Sequence, residues 1–269
     1  MSTSDARVKS ILLLVEGEKR ERVFMESLLL RFGIADDYRI VSFETVIYQL
    51  FKYLDCCGGA GDVDLVDALR ELFADDPEKR RFLDGDFTDI VLIFDFDPQD
   101  NRCDLDALRR YQEALCDSTD NGLLLVNYPS IEAYRDFEGL GDQGFVDERI
   151  AVTGDGGCTS YKDRVSRRGN GLDDIKKLNA LQWAQIIAMH ASKTQHLLEG
   201  TASENCAYWE PTEDLARAAL EVDLLALHDL EAHDVSFGYV YTLCTCVFFA
   251  CNWPDRVNGV WKKVCRFCC

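Results

Sequence analysis

This sequence is short of positive charge. Lysine and arginine number 29 against 48 aspartates and glutamates, a formal net charge of −19. A protein that coats nucleic acid with its general surface needs the opposite balance. An acidic average still leaves room for a local basic patch or bound cations. Internal repeats and low-complexity linkers are also missing. The opening "MSTSDARVKS" is polar and "ILLLV" is too short for the apolar core of a secretory signal, so a cytoplasmic protein is expected. The twelve cysteines do not read as a disulfide framework, because several sit in apolar runs such as "TLCTCVFFAC" with no small secreted scaffold around them; reduced thiols are expected. "CRFCC" holds a CxxC, but Cys244, Cys246 and Cys251 stand at no standard zinc spacing. His190 and His196 miss the i, i+4 pairing of helical zinc sites and are read as structural. Lys193 on the same helix is a phosphate-ligand candidate with nothing in the spacing to support it.

One uncharged run, Val235 to Trp253, is borderline in length for a membrane span, and Lys262, Lys263 and Arg266 follow it. Ser236, Thr242, Thr245, Asn252 and two tyrosines make it less apolar than an anchor. A buried core element is expected there, with no membrane partner.

What is present is an α/β pattern. At 269 residues and 47% hydrophobic, the chain can bury a full core. Val8–Val15 reads as a strand covered on both faces, followed by a helix over Lys19–Phe32. "YRIVSFE", "TDIVLIFDFD" and "GLLLVNYP" read as further strands. Helices are expected over Thr45–Leu54, Val63–Phe73 and Leu105–Cys116, with "DDPEKRR" as a charged turn. Strand and helix alternating in this order predict a parallel, Rossmann-like sheet flanked by helices. Beyond Glu138 the pattern changes to a glycine- and acid-rich loop over Gly139–Gly157. Helices are expected over Leu172–Leu198 and Asp214–Ala232. The expected division is 1–140 as a catalytic α/β domain and 141–269 as a mainly helical region, which can pack directly on the sheet.

Ligands of open parallel sheets bind outside the carboxyl ends of the strands. Glu16 ends the first strand, Asp95 and Asp97 end the third, and "YPSIEAY" after the next strand carries Glu132. Strand alternation places Asp95 and Asp97 on one side. Carboxylates so placed repel one another unless a cation bridges them, and hard divalent ions favour oxygen ligands. Glu16, Asp95 and Asp97, with Glu132 beside them, are thus candidate ligands for Mg²⁺ or Mn²⁺. The plainer reading is that acids after strands cap the helices that follow; Asp100 is read that way, as a turn residue.

"LLLVEGEKRERVFMESL" followed by "DIVLIFDFD" resembles a TOPRIM domain, the fold shared by topoisomerases, primases and several nucleases. "EGEKRE" is similar to the opening of RloB-like proteins of bacterial defence loci, and "NYPSIEAYRDF" to the segment that follows their DxD. The resemblance covers roughly residues 8–137 and departs at Arg20, where the RloB pattern has Thr. It also requires an insertion around 55–85. It implies a catalytic set of Glu16, Asp95, Asp97 and Glu132. Glu16 would be a general acid/base or metal ligand, Asp95 and Asp97 metal ligands, and Glu132 an additional acid. The implied activity is Mg²⁺- or Mn²⁺-dependent hydrolysis of phosphodiester bonds in DNA or RNA, tRNA included, in antiviral defence. A regulatory or sensor protein, or a second copy of the chain, is the implied restraint on such an activity.

The most basic stretch, "YKDRVSRRGNGLDDIKK", carries six basic and three acidic residues. Lys162, Arg164, Arg167 and Arg168 within it are the candidate substrate contacts, since arginine in particular grips phosphates. A solvated loop balancing acidic neighbours is the alternative. Two other function classes stay open: a module that holds a nucleotide or nucleic acid without cutting, and a primase-like phosphotransferase.

Overall fold

Five consecutive apolar residues have two faces to cover, and in the computed structural model Ile11–Val15 is an inner strand, fully buried. The structure describes residues 10–34, 38–59, 61–152, 157–199, 238–252, 256–257 and 259–260. In chain order the elements of the first half are β1 (Ile11–Val15), α1 (Arg20–Phe32), β2 (Tyr38–Ser42), α2 (Ile47–Cys57) and α3 (Leu65–Leu72). Then come α4 (Pro77–Leu83), β3 (Asp89–Asp95), α5 (Leu105–Ala114), β4 (Cys116–Asp117) and β5 (Gly122–Asn127). The second half adds β6 (Arg149–Ala151), α6 (Tyr161–Ser166), α7 (Ala180–Glu199) and β7 (Tyr239–Tyr241).

The sheet has five strands in the order β2-β1-β3-β5-β4. Its first four strands run parallel, and the short β4 pairs antiparallel with β5. The sheet is therefore mostly parallel rather than purely so. The chain leaves β1 toward one side, returns as β3 on the other, and so opens a crevice at the carboxyl ends of β1 and β3. That is the topological switch point where open α/β sheets take ligands.

Local signals explain most helix boundaries. Asp64, Asp76 and Asp104 each accept backbone N–H bonds in the first turns of α3, α4 and α5, an arrangement worth about 1 kcal/mol per helix. "DDPEKRR", expected as a turn, is instead the start of α4: Asp76 caps it and Pro77 fills the first turn, where no N–H is missed. Gly33 ends α1 at φ 68, a left-handed conformation that costs glycine little.

The described part of the second half is less helical than expected. Besides α6 and α7 it holds short 3-10 turns and the antiparallel pair β6–β7. The helix expected over Leu172–Leu198 begins only at Ala180. Asn179 and Gln182 cap it reciprocally, each side chain accepting the other's N–H at 3.0 Å. The helix expected over Asp214–Ala232 lies outside the described residues.

This half packs on the sheet and its helices. Trp183 of α7 meets Phe24 of α1 edge-on at 4.8 Å and donates to Ser27 Oγ at 3.3 Å. Leu243 exchanges two backbone hydrogen bonds with Tyr128, just past β5. The uncharged run is buried as expected between Thr242 and Ala250. No described helix is long and apolar enough to cross a membrane. Lys193 is buried and donates to the carbonyls of Phe145 and Glu148, so it braces these two segments. His190, buried, accepts the Cys244 N–H at Nδ1, and burial lowers its pKa to about 3, so it stays neutral. The described cysteines are free thiols.

Candidate functional site

Glu16 stands where β1 leaves the sheet. Its N–H continues the ladder to Ile93 O at 3.1 Å, while its carbonyl turns away to accept from Glu44 at 2.8 Å. That leaves the Asp95 N–H of β3 without its usual ladder acceptor, and the Glu16 carboxylate takes it at 3.0 Å. The immediate partner of this acid is thus a backbone amide. The Glu21 carboxylate folds back over Gly17 and fills the space a Cβ would take there.

Asp95 ends β3 and is 5% exposed. Its Oδ1 accepts the Ile131 N–H at 2.8 Å and, more weakly, the Asn127 amide at 3.4 Å. Asp97 lies beyond the strand with φ 34, a left-handed conformation, so strand alternation does not extend to it. It remains within the field of Glu16 and is held by Gln99. Glu132, 1% exposed, sits on the 3-10 turn Ile131–Arg135 that follows β5. It accepts from Ser130 Oγ at 2.6 Å and meets Arg20 at 3.2 Å and Lys162 at 3.9 Å.

Burial and crowding together resist ionisation here. Desolvation raises the Glu16 pKa to about 7; the Asp95 N–H and Lys162 oppose the rise, while Asp97 and Glu21 add to it. Asp95 is pushed well above the usual carboxylate range by burial, then by Glu16, Glu132 and Glu21. Asp97 is raised by burial and by Asp100. Burial works against the charge of Lys162, but Glu132, Asp95, Glu21 and Glu16 outweigh it and hold its pKa above the ordinary lysine value. An acid with a pKa near 7 can both give and take a proton at neutral pH.

All four acids expected at the site therefore share one field. Two members were not expected: Glu21, in the first turn of α1, and Arg20, the cation on Glu132. An acid in a first turn is an ordinary helix-dipole feature, so no sequence signal separates Glu21 from a surface residue. Asp100 is the turn residue expected: it accepts the Arg102 N–H, and its ion pair with Arg102 lowers its pKa to about 2.

The donor set is all oxygen and partly frustrated. Glu132 Oε1 is buried with no aligned hydrogen-bond donor, only the Arg20 guanidinium nearby. In kind this suits a hard divalent ion. Among the described residues, however, no three acids, histidines or cysteines stand together as a ready ligand set. Glu16, Asp95 and Asp97 would have to be drawn inward.

The four basic candidates separate. Lys162 faces the carboxylates. Arg164 and Arg168 are bound to acids: both pair with Glu148 and with the fully buried Asp136, at 3.2 and 3.0 Å, and Arg168 also with Glu138. Arg167 is exposed and makes no ion pair among the described residues. Removing one partner of a buried pair leaves an uncompensated charge. Arg168→Ala is therefore expected to cost about 2 to 3 kcal/mol in denaturant unfolding, because Arg164 still covers part of Asp136. Arg167→Ala should stay within about 0.5 kcal/mol of the parent. Unchanged stability in Arg168→Ala would return that residue to substrate contact.

No protein-family model, curated protein or solved structure matches the chain, and what the coordinates show of its kinship is an α/β fold with a mostly parallel five-stranded sheet flanked by helices.

Proposed function

We propose that the chain is a metal-dependent nuclease of the TOPRIM type, hydrolysing phosphodiester bonds in DNA or RNA. One observation carries the reading. Glu16 and Asp95 close the two strands that flank the switch point, in one field with Asp97, Glu132, Arg20 and Lys162. Glu16, Asp95 and Asp97 would hold Mg²⁺ or Mn²⁺, which supplies charge neutralisation at the phosphate and a more acidic water. In the metal-free site the Glu16 pKa is near 7. Where Glu16 stays off the ion it is the group suited to carry the proton that hydrolysis must move, and as a ligand it would be held ionised. Lys162 and Arg20 offer positive charge to non-bridging phosphate oxygens, and Glu132 aims both of them. A role in antiviral defence, under the control of a partner protein or a second copy, belongs to the same proposal.

The test is direct. Purified protein is incubated with plasmid, single-stranded DNA and tRNA, in Mg²⁺, in Mn²⁺ and in EDTA. Cutting of at least one substrate, abolished by EDTA, is the expected result. A binding module is the second reading, favoured by the donors that already occupy Glu16 and Glu132. Metal binding with every substrate left intact would select it.

A further inference from the structure

The proposed cutting site has an electrostatic difficulty. Glu16, Glu21, Asp95, Asp97 and Glu132 gather there against Arg20 and Lys162, on a chain of net charge −19. A nucleic-acid strand brings a negative charge with every nucleotide, so the nucleotides flanking the reacting phosphate need positive relief close by. Arg164 and Arg168, the obvious source, are consumed by Asp136, Glu138 and Glu148.

An open cavity of about 510 Å³ shares Arg20 with the carboxylate site and is lined by Lys19, Arg20 and Val23 and by the segment 173–176. Its charges are not balanced within it. Of its two acids, Asp173 is taken by Arg135 at 2.7 Å and Asp174 by Lys177 at 2.9 Å, both cations from outside the cavity wall. Arg135 is 1% exposed and cannot swing away to serve a ligand. Lys19 makes no ion pair among the described residues; Lys176 lowers the Asp174 pKa from a distance but is within pairing reach of no described acid. The segment is anchored, since Arg31 donates to the Lys176 carbonyl at 2.9 Å and Ser27 to the Ile175 carbonyl at 2.9 Å. Two exposed lysines are thus held over a firm wall, with Arg20 common to the cavity and to Glu132.

We propose that this cavity is a second phosphate subsite: Lys19 and Lys176 grip a backbone phosphate of the strand next to the one at the carboxylates. The substrate is then a strand of several nucleotides, DNA or RNA, and not a mononucleotide. This rests on the nuclease reading for the position of the first phosphate.

Binding without cutting tests it. Glu16→Gln protein is titrated with fluorescent single strands of about twelve nucleotides, one of DNA and one of RNA, in Mg²⁺ and in Mn²⁺. Adding Lys19→Gln and Lys176→Gln is expected to weaken binding of the preferred strand about fivefold or more. The log–log salt slope should become shallower by about 0.7, the value for one fewer phosphate neutralised on a single strand. Competition by a mononucleotide should not change, and Lys19→Arg with Lys176→Arg should restore affinity, which excludes a folding defect. The strand that binds tighter names the nucleic acid. A bound strand whose affinity and slope ignore both lysines overturns the subsite and leaves the nuclease reading standing. Parent protein that neither binds nor cuts either strand in either metal overturns both.

Discussion

Asp95→Asn is expected to abolish metal-dependent cleavage, by about a thousandfold or more, while making the protein more stable at neutral pH. The two effects share one cause. Asp95 is buried beside Glu16, Glu132 and Glu21, and each of them opposes its ionisation. Asparagine keeps an oxygen for the Ile131 N–H and removes the charge, so the fold loses a repulsion and little else. A gain of about 1 to 2 kcal/mol is expected, seen as a melting temperature higher by roughly 3 to 8 °C. The same change removes a ligand and a source of negative charge, which a divalent ion needs more than hydrogen-bond geometry. Activity lost with stability gained is the usual sign of a group kept for chemistry at the expense of the fold. The measurements are initial cleavage rates and thermal melts of both proteins in one buffer. If Asp95→Asn is less stable and still cuts, Asp95 is a structural residue.

In metal-free buffer the Glu16 contribution to stability should fall as pH rises from about 4.5 to about 7. Buried His190, with a pKa of about 3, gives the opposite slope up to about pH 6.5, so the difference between the parent and Glu16→Gln isolates the carboxylate. Glu16 has a folded pKa of about 7 against 4.5 for the ordinary side chain. Between those values the folded state binds a proton that the unfolded state has released. Stability from a raised acid is fully present below the lower value and is lost as pH climbs through the upper one. For Glu16 the loss is on the order of 3 kcal/mol. Asp95 is raised for the same reason and adds a loss of the same sign, so the two titrate as a pair.

Mg²⁺ or Mn²⁺ should oppose this loss, because an ion that binds only the folded state stabilises it by mass action. The gain should grow with pH as the carboxylates ionise. Glu16→Gln is expected to remove the Glu16 share from the metal-free pH profile, leaving those of Asp95 and His190, since glutamine can still accept the Asp95 N–H without a buried charge. It should also shrink the metal-induced rise in melting temperature. Melting curves across this pH range, with EDTA and with each metal, measure both effects. A parent-minus-Glu16→Gln stability difference that does not fall across the window would mean that the carboxylates are already compensated, and the proposed cation site would fail.

The legible parts of the fold are those with a strong local signal. Ile11–Val15, Asp89–Asp95 and Gly122–Asn127 are apolar runs bounded by turns, and each is a strand within a few residues of the expected ends. Pro77 after Asp76 is an equally local signal, but the dense charge of "DDPEKRR" masks the cap and makes α4 look like a turn. Two-residue β4 and three-residue β6 and β7 are too short for any periodicity to show. Lys162, Arg164, Arg167 and Arg168 look alike in sequence. Only the buried Asp136, drawn from a different segment, separates the structural arginines from the lysine at the site.

What the sequence determined by itself was the α/β class and the placing of acids at strand ends, because hydrophobic periodicity and strand exits are properties of neighbouring residues. What only the tertiary structure decided was which charges meet. The Glu16 carboxylate answers an amide 79 residues away, and Arg20 pairs with Glu132. Glu21 joins the cluster from the first turn of α1, which sets it against Asp95. Ionisation depends on burial and on neighbours in space, and both exist only once distant segments have packed together.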